Sequence, residues 1–184
     1  MTVHLKRQLF TVKEFYKMAE VGIIQPDARV ELLNGEIIQM SPIKSHHAGV
    51  VDFLSGLLNS KYFGKYNIRT QNPIRINRHS EPEPDVAVAK FQKDSYKSKH
   101  PKPSDVLLLI EVSDSTLLKD RKVKLPIYAK AGIEEYWIVN LVDEQIEVYK
   151  NPEGEKYTSK KKYKKGSNIK CEKLDFKLAV SDVF

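Results

Sequence analysis

The apolar run VLLLIEV, residues 106–112, constrains the fold more than any other segment of the chain. Its first five residues, from Val106 to Ile110, leave no polar face, which is typical of a strand covered on both sides in the middle of a sheet. Glu111 follows directly, and an ionised carboxylate costs several kcal/mol to bury unless a positive group meets it. The sequence therefore predicts a central strand that carries a buried acid with a cation nearby.

Local signals around this strand predict an α/β fold, with a mixed β-sheet core flanked by helices. A capping box at Thr11 and Glu14 begins the first helix, and the dipeptide Asn34-Gly35 fits a type I′ hairpin turn because both residues tolerate positive φ. In chain order we expect a helix at about 11–21, a β-hairpin at 30–40, a helix from Ser45 to about 59–64, strands at 67–77, 85–89 and 106–112, a helix from 115 or 120 to 131, strands at 134–140 and 144–151, and short strands up to Phe184. Residues 106–139 then form a right-handed βαβ unit.

Length and composition predict a single domain of residues 1–184. The chain has 184 residues and is 41% hydrophobic and 30% charged, which excludes a wholly disordered protein. A single cysteine, Cys171, excludes an intramolecular disulfide and favours a reducing compartment. No apolar run approaches the about 20 residues of a membrane-spanning helix, and the start MTVHLKRQLF has no signal-peptide core, so we expect a cytoplasmic protein without membrane contact.

The charge is positive and uneven. The formal net charge is +7, with six lysines in residues 156–166 and five lysines against one aspartate in residues 90–102. Such patches favour a polyanionic partner whose phosphates the lysines would contact. For the patch at 156–166 the alternative is a solvated hairpin whose lysines prevent edge-to-edge strand pairing.

A second acidic residue is placed to approach Glu111. Asp85 follows two prolines in EPEPDVAVAK and begins a short strand of small apolar residues. Two carboxylates from neighbouring strands are a common way to hold Mg²⁺, which takes one or two protein carboxylates and keeps several waters. The alternative is that Asp85 caps a turn while Glu111 forms a salt bridge at the end of its strand.

The helix after Glu111 offers the cation. At about 100° per residue, Arg121, Lys124 and Tyr128 share an arc with the apolar residues Leu117, Leu118 and Leu125. Either the long cationic side chains snorkel to water, or Lys124 reaches the carboxylates and a scissile phosphate. Pro126 is expected to kink this helix or to delay its start.

The order of these segments resembles the Uma-type family of putative restriction endonucleases, a branch of the PD-(D/E)xK nuclease superfamily. Over about residues 10–150 the resemblance is carried by RVELLNGEI, a histidine that opens a helix, PDVAV, LLIEVSDST and DRKVKLPIYAKAGIEEYW. Pro84-Asp85 and Glu111 match the superfamily pattern, but its lysine position is occupied by Ser113. In the Uma branch the lysine comes from the following helix, and Lys124 matches that displaced position.

The resemblance implies a restriction-endonuclease-like fold and metal-dependent hydrolysis of DNA by a homodimer. Asp85 and Glu111 would bind Mg²⁺ or Mn²⁺, and Lys124 would orient or help to deprotonate the attacking water. Glu31, from the N-terminal hairpin, would help to hold a second ion or a water molecule. The supporting residues would be His47, at the start of the second helix, and Arg121.

Structural alternatives stay open at these positions. His47 would instead bind a backbone carbonyl, Glu31 would pair with Arg29 or Lys124, and the aromatic dipeptide at 136–137 would supply apolar area to the core or to a dimer surface. For the whole protein, the alternative is a catalytically silent nuclease-fold module that binds DNA or a protein partner.

Overall fold

The computed structural model describes residues 7–184. Their main feature is a six-stranded β-sheet with helices packed on it. Residues 1–6 lie outside the described residues. Two predictions include them: the single domain of residues 1–184 and the absence of a signal-peptide core at the start of the sequence. In chain order the elements are α1 (Val12–Glu20), β1 (Val30–Leu33), β2 (Glu36–Gln39), α2 (Ser45–Tyr62), β3 (Tyr66–Thr70), β4 (Val86–Lys90), β5 (Val106–Ser113), α3 (Leu117–Lys119), a π-helical turn (Asp120–Lys124), α4 (Leu125–Lys130), β6 (Glu135–Asn140), β7 (Gln145–Glu153), β8 (Lys156–Lys164), β9 (Asn168–Cys171) and β10 (Phe176–Ala179).

The central sheet has the spatial order β3-β4-β5-β6-β7-β8. β5 and β6 are parallel, with Leu109 opposite Tyr136, and every other neighbouring pair is antiparallel. The predicted α/β fold with a mixed sheet is therefore confirmed, and so is the βαβ connection between β5 and β6. Leu108, Leu109 and Ile110 are fully buried, as the apolar run requires.

Each face of the sheet has its own hydrophobic cluster. On one face α2 and the β9–β10 hairpin cover Ile110 and Trp137, and the Trp137 ring stacks on Phe176. On the other face the helical segment that ends in α4 covers Leu109 and Tyr136. Tyr136 and Trp137 are both fully buried, so the aromatic dipeptide belongs to the core and not to a dimer surface. Within residues 7–184 no helix combines the length and the apolar composition needed to cross a membrane.

The β1–β2 hairpin forms around the predicted turn. Asn34 has φ 52° and Gly35 has φ 82°, the positive values that a type I′ turn needs at both positions. A Cβ atom at Gly35 would lie 2.6 Å from the Cβ of Leu9, so the close approach of the N-terminal segment also requires glycine there. A bond of 2.8 Å from the Glu81 N–H to the Leu32 carbonyl fixes this hairpin beside the segment that leads into β4.

The helical segment after β5 differs from the prediction. Instead of one helix, α3 leads into the π-helical turn, and α4 starts one residue before Pro126. Pro126 has no N–H to donate to the Lys122 carbonyl, which accounts for the break in α-helical bonding just before it. Leu118, which helical spacing places on one arc with Leu117 and Leu125, is 69% exposed and does not join the core.

The strand predicted at 67–77 ends early. β3 stops at Thr70, since Gln71 adopts φ 49° and Asn72 precedes Pro73, a position with little access to regular structure. The chain then runs back to β4 through a loop, and this loop brings Gln71 beside Asp85.

Candidate active site

Glu111 lies on the face of β5 that the helical segment covers, and it meets two side chains from that segment. Its Oε1 accepts a hydrogen bond of 3.0 Å from Lys124 Nζ and one of 2.8 Å from the Tyr128 hydroxyl. Glu111 and Lys124 are each only 3% exposed. The cation that the sequence predicted beside Glu111 is therefore Lys124, the last residue of the π-helical turn.

Glu31 brings a second carboxylate to the same ammonium group. Its Oε2 lies 3.1 Å from Lys124 Nζ, and its Oε1 accepts a hydrogen bond of 2.9 Å from Lys119. Glu31 also accepts the backbone N–H of Glu83 at 3.2 Å. Of the two partners considered for Glu31, the structure therefore pairs it with Lys124 rather than with Arg29.

Burial and charge act against each other in this cluster. Burial raises the pKa of Glu111, and the nearby Lys124 ammonium opposes that rise only in part. Burial alone would lower the pKa of Lys124, but the carboxylates of Glu111 and Glu31 raise it above its usual range. Burial also favours the neutral form of Glu31, yet Lys124 and Lys119 hold its pKa below the usual value. Lys124 is consequently a cation at neutral pH.

Asp85 stands just before β4, and three groups hold its carboxylate. Oδ2 accepts the backbone N–H of Val112 at 2.8 Å and lies 3.1 Å from His47 Nε2, while Oδ1 accepts a hydrogen bond of 3.2 Å from Gln71. Burial alone would raise the pKa of Asp85, but the contacts with His47 and Val112 lower it. The hydrogen bond to Asp85 in turn raises the pKa of His47. Through Nε2, His47 therefore binds a carboxylate.

Asp85, Glu111 and Lys124 line one cavity of about 40 Å³, together with His47 and Gln71. That volume holds an ion or a water molecule but no nucleotide. Asp85 and Glu111 offer oxygen ligands of the kind that Mg²⁺ and Mn²⁺ prefer, and no protein group in the described residues donates to Oε2 of Glu111. The donor set therefore fits a hard divalent ion with two protein carboxylates. Across residues 7–184 no group of three or more histidine, cysteine, aspartate or glutamate side chains is arranged around a common metal position.

Arg121 does not join this cluster. Its guanidinium donates to Glu147 on β7, and it does not line the cavity. Arg121 was expected to support the site, but this contact directs it to β7. Of the two cations that helical spacing placed on one arc, Arg121 and Lys124, only Lys124 pairs with the buried carboxylate on β5. Nothing local in the sequence distinguishes the two, because their partners lie 26 and 13 positions away along the chain.

Sequence reasoning missed several polar residues around the cluster. Gln71 and Lys119 had no role, although they donate to Asp85 and Glu31. Asp120 is buried and accepts hydrogen bonds of 2.7 Å from the hydroxyls of Ser113 and Thr116. Ser113 occupies the lysine position of the superfamily pattern, and here it ties β5 to the turn that carries Lys124. The sequence offered one signal for this contact. Ser113 stands where the superfamily pattern has lysine, so a different partner could have been sought for it, and the structure shows that partner to be Asp120.

Comparisons with known proteins bear on the family and the fold of the chain. A family model described as "Putative restriction endonuclease" matches residues 12–181. The crystal structure of a putative nuclease belonging to DUF820 from Anabaena variabilis ATCC 29413 is similar to this chain, with a TM-score of 0.72 and 14% sequence identity, over 95% of this chain and 97% of that chain. At that identity the likeness shows a shared fold. No curated protein matches the chain.

Proposed function

Because the chain belongs to the Uma2 family of putative restriction endonucleases, we propose that it is a nuclease that hydrolyses DNA phosphodiester bonds with the help of Mg²⁺ or Mn²⁺. One observation carries the proposal: Asp85, Glu111 and Lys124 arrive from three separate elements and line the same small cavity. A buried acid with a raised pKa, beside a buried cation, is common at catalytic sites.

Asp85 and Glu111 would hold the divalent ion. When bound, such an ion polarises a phosphate oxygen and lowers the pKa of a water molecule. Val112 N–H, Gln71 and His47 fix the orientation of the Asp85 carboxylate, so its position does not depend on the ion. His47 acts through Asp85 and is a positioning residue in this proposal.

Lys124 would stabilise negative charge at the phosphate and orient the attacking water. Its raised pKa favours the role of a fixed cation over that of a base, because an ammonium group that two carboxylates hold gives up its proton reluctantly. Glu31 also holds the Lys124 ammonium group, at 3.1 Å. This arrangement supports the part of the sequence-based hypothesis in which Lys124 orients water, and it disfavours the part in which Lys124 removes a proton.

The phosphate would meet the site at its mouth. The cavity is too small for a nucleotide, and its outer lining includes Arg29 and Lys44, whose positive charge suits an approaching phosphate. Lys44 also pairs with Asp114 at 3.0 Å. DNA would therefore lie over the cavity, with a single phosphate reaching into it.

A cleavage assay with purified protein and supercoiled plasmid tests the proposal. We expect nicking or linearisation with Mg²⁺ or Mn²⁺, little cleavage with Ca²⁺, and none in EDTA. Glu111→Gln should abolish cleavage. The matched control is Glu155→Gln, the same change at an exposed residue that pairs with Lys130, and it should cleave normally. Full activity in EDTA, or equal activity of the two variants, would refute the proposal.

The silent module remains the second candidate, because Lys124 and Tyr128 already occupy one oxygen of Glu111. A module has no need of a filled metal site. Titration of the protein with Mn²⁺, followed by electron paramagnetic resonance, separates the two candidates. Saturable binding that Asp85→Asn removes supports the nuclease, whereas DNA binding without any such Mn²⁺ site supports the module.

A further inference from the structure

A second cleft, of about 650 Å³, lies between α1 and the loop that follows β4. We call it the Tyr16 cleft, and its lining includes Tyr16, Arg75, Tyr96, Lys97, Lys99 and His100. It shares no lining residue with the cavity at Asp85. Its volume falls within the range of about 300–1,000 Å³ that is usual for small-molecule sites.

The charge of the Tyr16 cleft suits an anion. Lys97, Lys99 and Lys102 line it against a single carboxylate, that of Asp105. None of these three lysines takes part in a salt bridge within the described part of the chain. Their ammonium groups are therefore free to contact phosphate oxygens.

Tyr96 is held in an unusual conformation at the wall of the cleft. Ser95 and Tyr96 have φ values of 53° and 61°, a region that bulky residues seldom adopt. The carboxylate of Asp94 accepts the Tyr96 N–H at 3.1 Å, and the Tyr96 hydroxyl donates to the Lys90 carbonyl at 2.9 Å. Such strained residues persist where the surroundings fix them, and they concentrate at ligand sites.

Polar groups at the base of the cleft are already oriented. His100 Nδ1 lies 3.3 Å from Arg69 Nη2 and so accepts a hydrogen bond, which leaves Nε2–H to donate to the Tyr16 hydroxyl at 3.1 Å. Burial lowers the pKa of His100; the Glu81 carboxylate opposes this effect, and the positive charges of Arg69 and Arg75 add to it. Tyr16 is 40% exposed, and the guanidinium of Arg75, which pairs with the Glu81 carboxylate, lies over its ring at 5.8 Å from the centre. A flat aromatic surface thus stands next to the lysines.

We propose that the Tyr16 cleft binds a nucleotide, with its phosphate between Lys97 and Lys99 and its base against the ring of Tyr16. Aromatic rings beside cationic groups are the usual means of holding an unpaired base, because every base presents a π-face. Two sources share this chemistry: a free mononucleotide, and an unpaired nucleotide of a DNA strand. Binding here requires neither the metal ion nor hydrolysis at Asp85, so the proposal stands or falls separately from the nuclease function.

The test is a binding titration of the full chain in EDTA with a fluorescent adenosine monophosphate. We expect saturable binding with a Kd below about 1 mM, displaced by unlabelled adenosine monophosphate but not by adenosine. The double variant Lys97→Gln/Lys99→Gln should weaken binding by about fivefold or more, because it removes the phosphate contacts. Tyr16→Leu should weaken it by a similar factor, because it removes the aromatic surface.

The matched control is Lys161→Gln/Lys162→Gln, which makes the same charge change on β8 at the other edge of the sheet. It should bind the probe as the unchanged protein does, and thermal unfolding should show that all variants are folded. Absence of saturable binding overturns the proposal, and so does equal weakening by the two lysine variants. If Tyr16→Leu fails to fold, Tyr16→His keeps a ring at this position and should retain most of the binding.

A second titration with a single-stranded pentathymidylate separates the two sources. Tighter binding of the oligonucleotide than of thymidine monophosphate, with loss in Lys97→Gln/Lys99→Gln, assigns the cleft to an unpaired DNA strand. Tighter binding of the mononucleotide, with the same loss, assigns it to a free nucleotide. Binding of either probe that the variant leaves unchanged contradicts the proposal.

Discussion

Among single residues, Lys124 compensates the most buried charge at the site, because its ammonium group pairs with two buried carboxylates, those of Glu31 and Glu111. Lys124→Met would leave Glu111 without a cation and Glu31 with Lys119 alone. Removing one partner of a buried ion pair costs about 3–5 kcal/mol. We expect a loss of that size in the free energy of unfolding, measured by urea denaturation. Lys122→Met, an exposed change in the same turn, should cost no more than about 0.5 kcal/mol. Equal effects would mean that Lys124 is not a structural cation.

Glu111 should behave in the opposite way. Glu111→Gln keeps the shape and removes a carboxylate whose burial is unfavourable, and Glu31 still pairs with Lys124. We therefore expect the free energy of unfolding to change by less than about 1 kcal/mol, while cleavage is lost. Leu108→Ala, at a fully buried residue three positions before Glu111 on the opposite face of β5, should cost about 2–5 kcal/mol. If Glu111→Gln destabilises the protein as much as Leu108→Ala does, the residue is chiefly structural.

At this scale the sequence predicted which residues come together better than it predicted what each of them touches. Asp85, Glu111, Lys124, Glu31 and His47 were all identified before the structure, from chemical cost and from family resemblance, and all of them lie at or beside one cavity. The partners of these residues come from distant positions and leave no local pattern. For this reason Gln71, Lys119 and the true partner of Arg121 were not found.

At the scale of elements, Glu147 joins the helical segment to the edge of the sheet. It is fully buried on β7 and binds Arg121 of the π-helical turn, and its Oε2 lies 3.1 Å from Lys160 Nζ on β8. These contacts outweigh the effect of burial and lower the pKa of Glu147 to about 2. Glu147→Gln should therefore cost roughly 3 kcal/mol of stability at pH 7.

The pH dependence of that cost has a definite sign. A lowered native pKa means that the unfolded chain takes up a proton near pH 4.5 while the native chain does so only near pH 2. The contribution of Glu147 is thus complete above about pH 4.5 and declines as the pH falls towards 2. Urea denaturation of the unchanged protein and of Glu147→Gln should converge over this range. A constant difference between pH 5 and pH 2.5 would rule out an ionised Glu147 as the cause.

Elements with a strong local signal were predicted well, and those set by competing signals were not. The Asn34-Gly35 turn, the capping box of α1 and the apolar run of β5 each specify one structure by themselves. The segment from α3 to α4 combines helical apolar spacing with Pro126, and the π-helical turn resolves the conflict in a way that spacing alone does not reveal. The same turn exposes Leu118 and directs Arg121 to β7.

At the scale of the whole molecule, the two lysine patches lie at opposite edges of the sheet. Residues 156–164 form β8 at one edge, and the segment after β4 lies beside β3 at the other, where Gln92 N–H binds the Asn67 side chain. The second patch, at 90–102, has no lysine in a salt bridge within the described residues, whereas Lys160 and Lys165 of the other patch pair with Glu147 and Glu144. We therefore expect it to carry most phosphate contacts, while the β8 lysines protect an open edge.

Salt dependence tests this assignment. If about five lysines contact phosphates, log K for duplex DNA should fall with log salt at a slope of roughly −4 to −5. Neutralising Lys93, Lys97 and Lys99 together should reduce the slope by about 3, whereas neutralising Lys156, Lys161 and Lys162 should change it little. A larger change from the β8 variant would reverse the assignment. The homodimer stays a prediction, which sedimentation analysis of the same samples would test.

The position of Trp137 gives the chain a built-in optical reporter. It is the sole tryptophan of the sequence, it is fully buried at the centre of the sheet on β6, and its indole N–H donates to the Glu135 carboxylate at 2.7 Å. Indole fluorescence excited at long ultraviolet wavelengths therefore arises from one environment, which water enters when α2 or the β9–β10 hairpin leaves this face of the sheet or when the sheet itself comes apart. Its red shift on unfolding reports the whole sheet, and substitutions at the cavity, at β7 or in the Tyr16 cleft can be compared on that single signal without any attached dye.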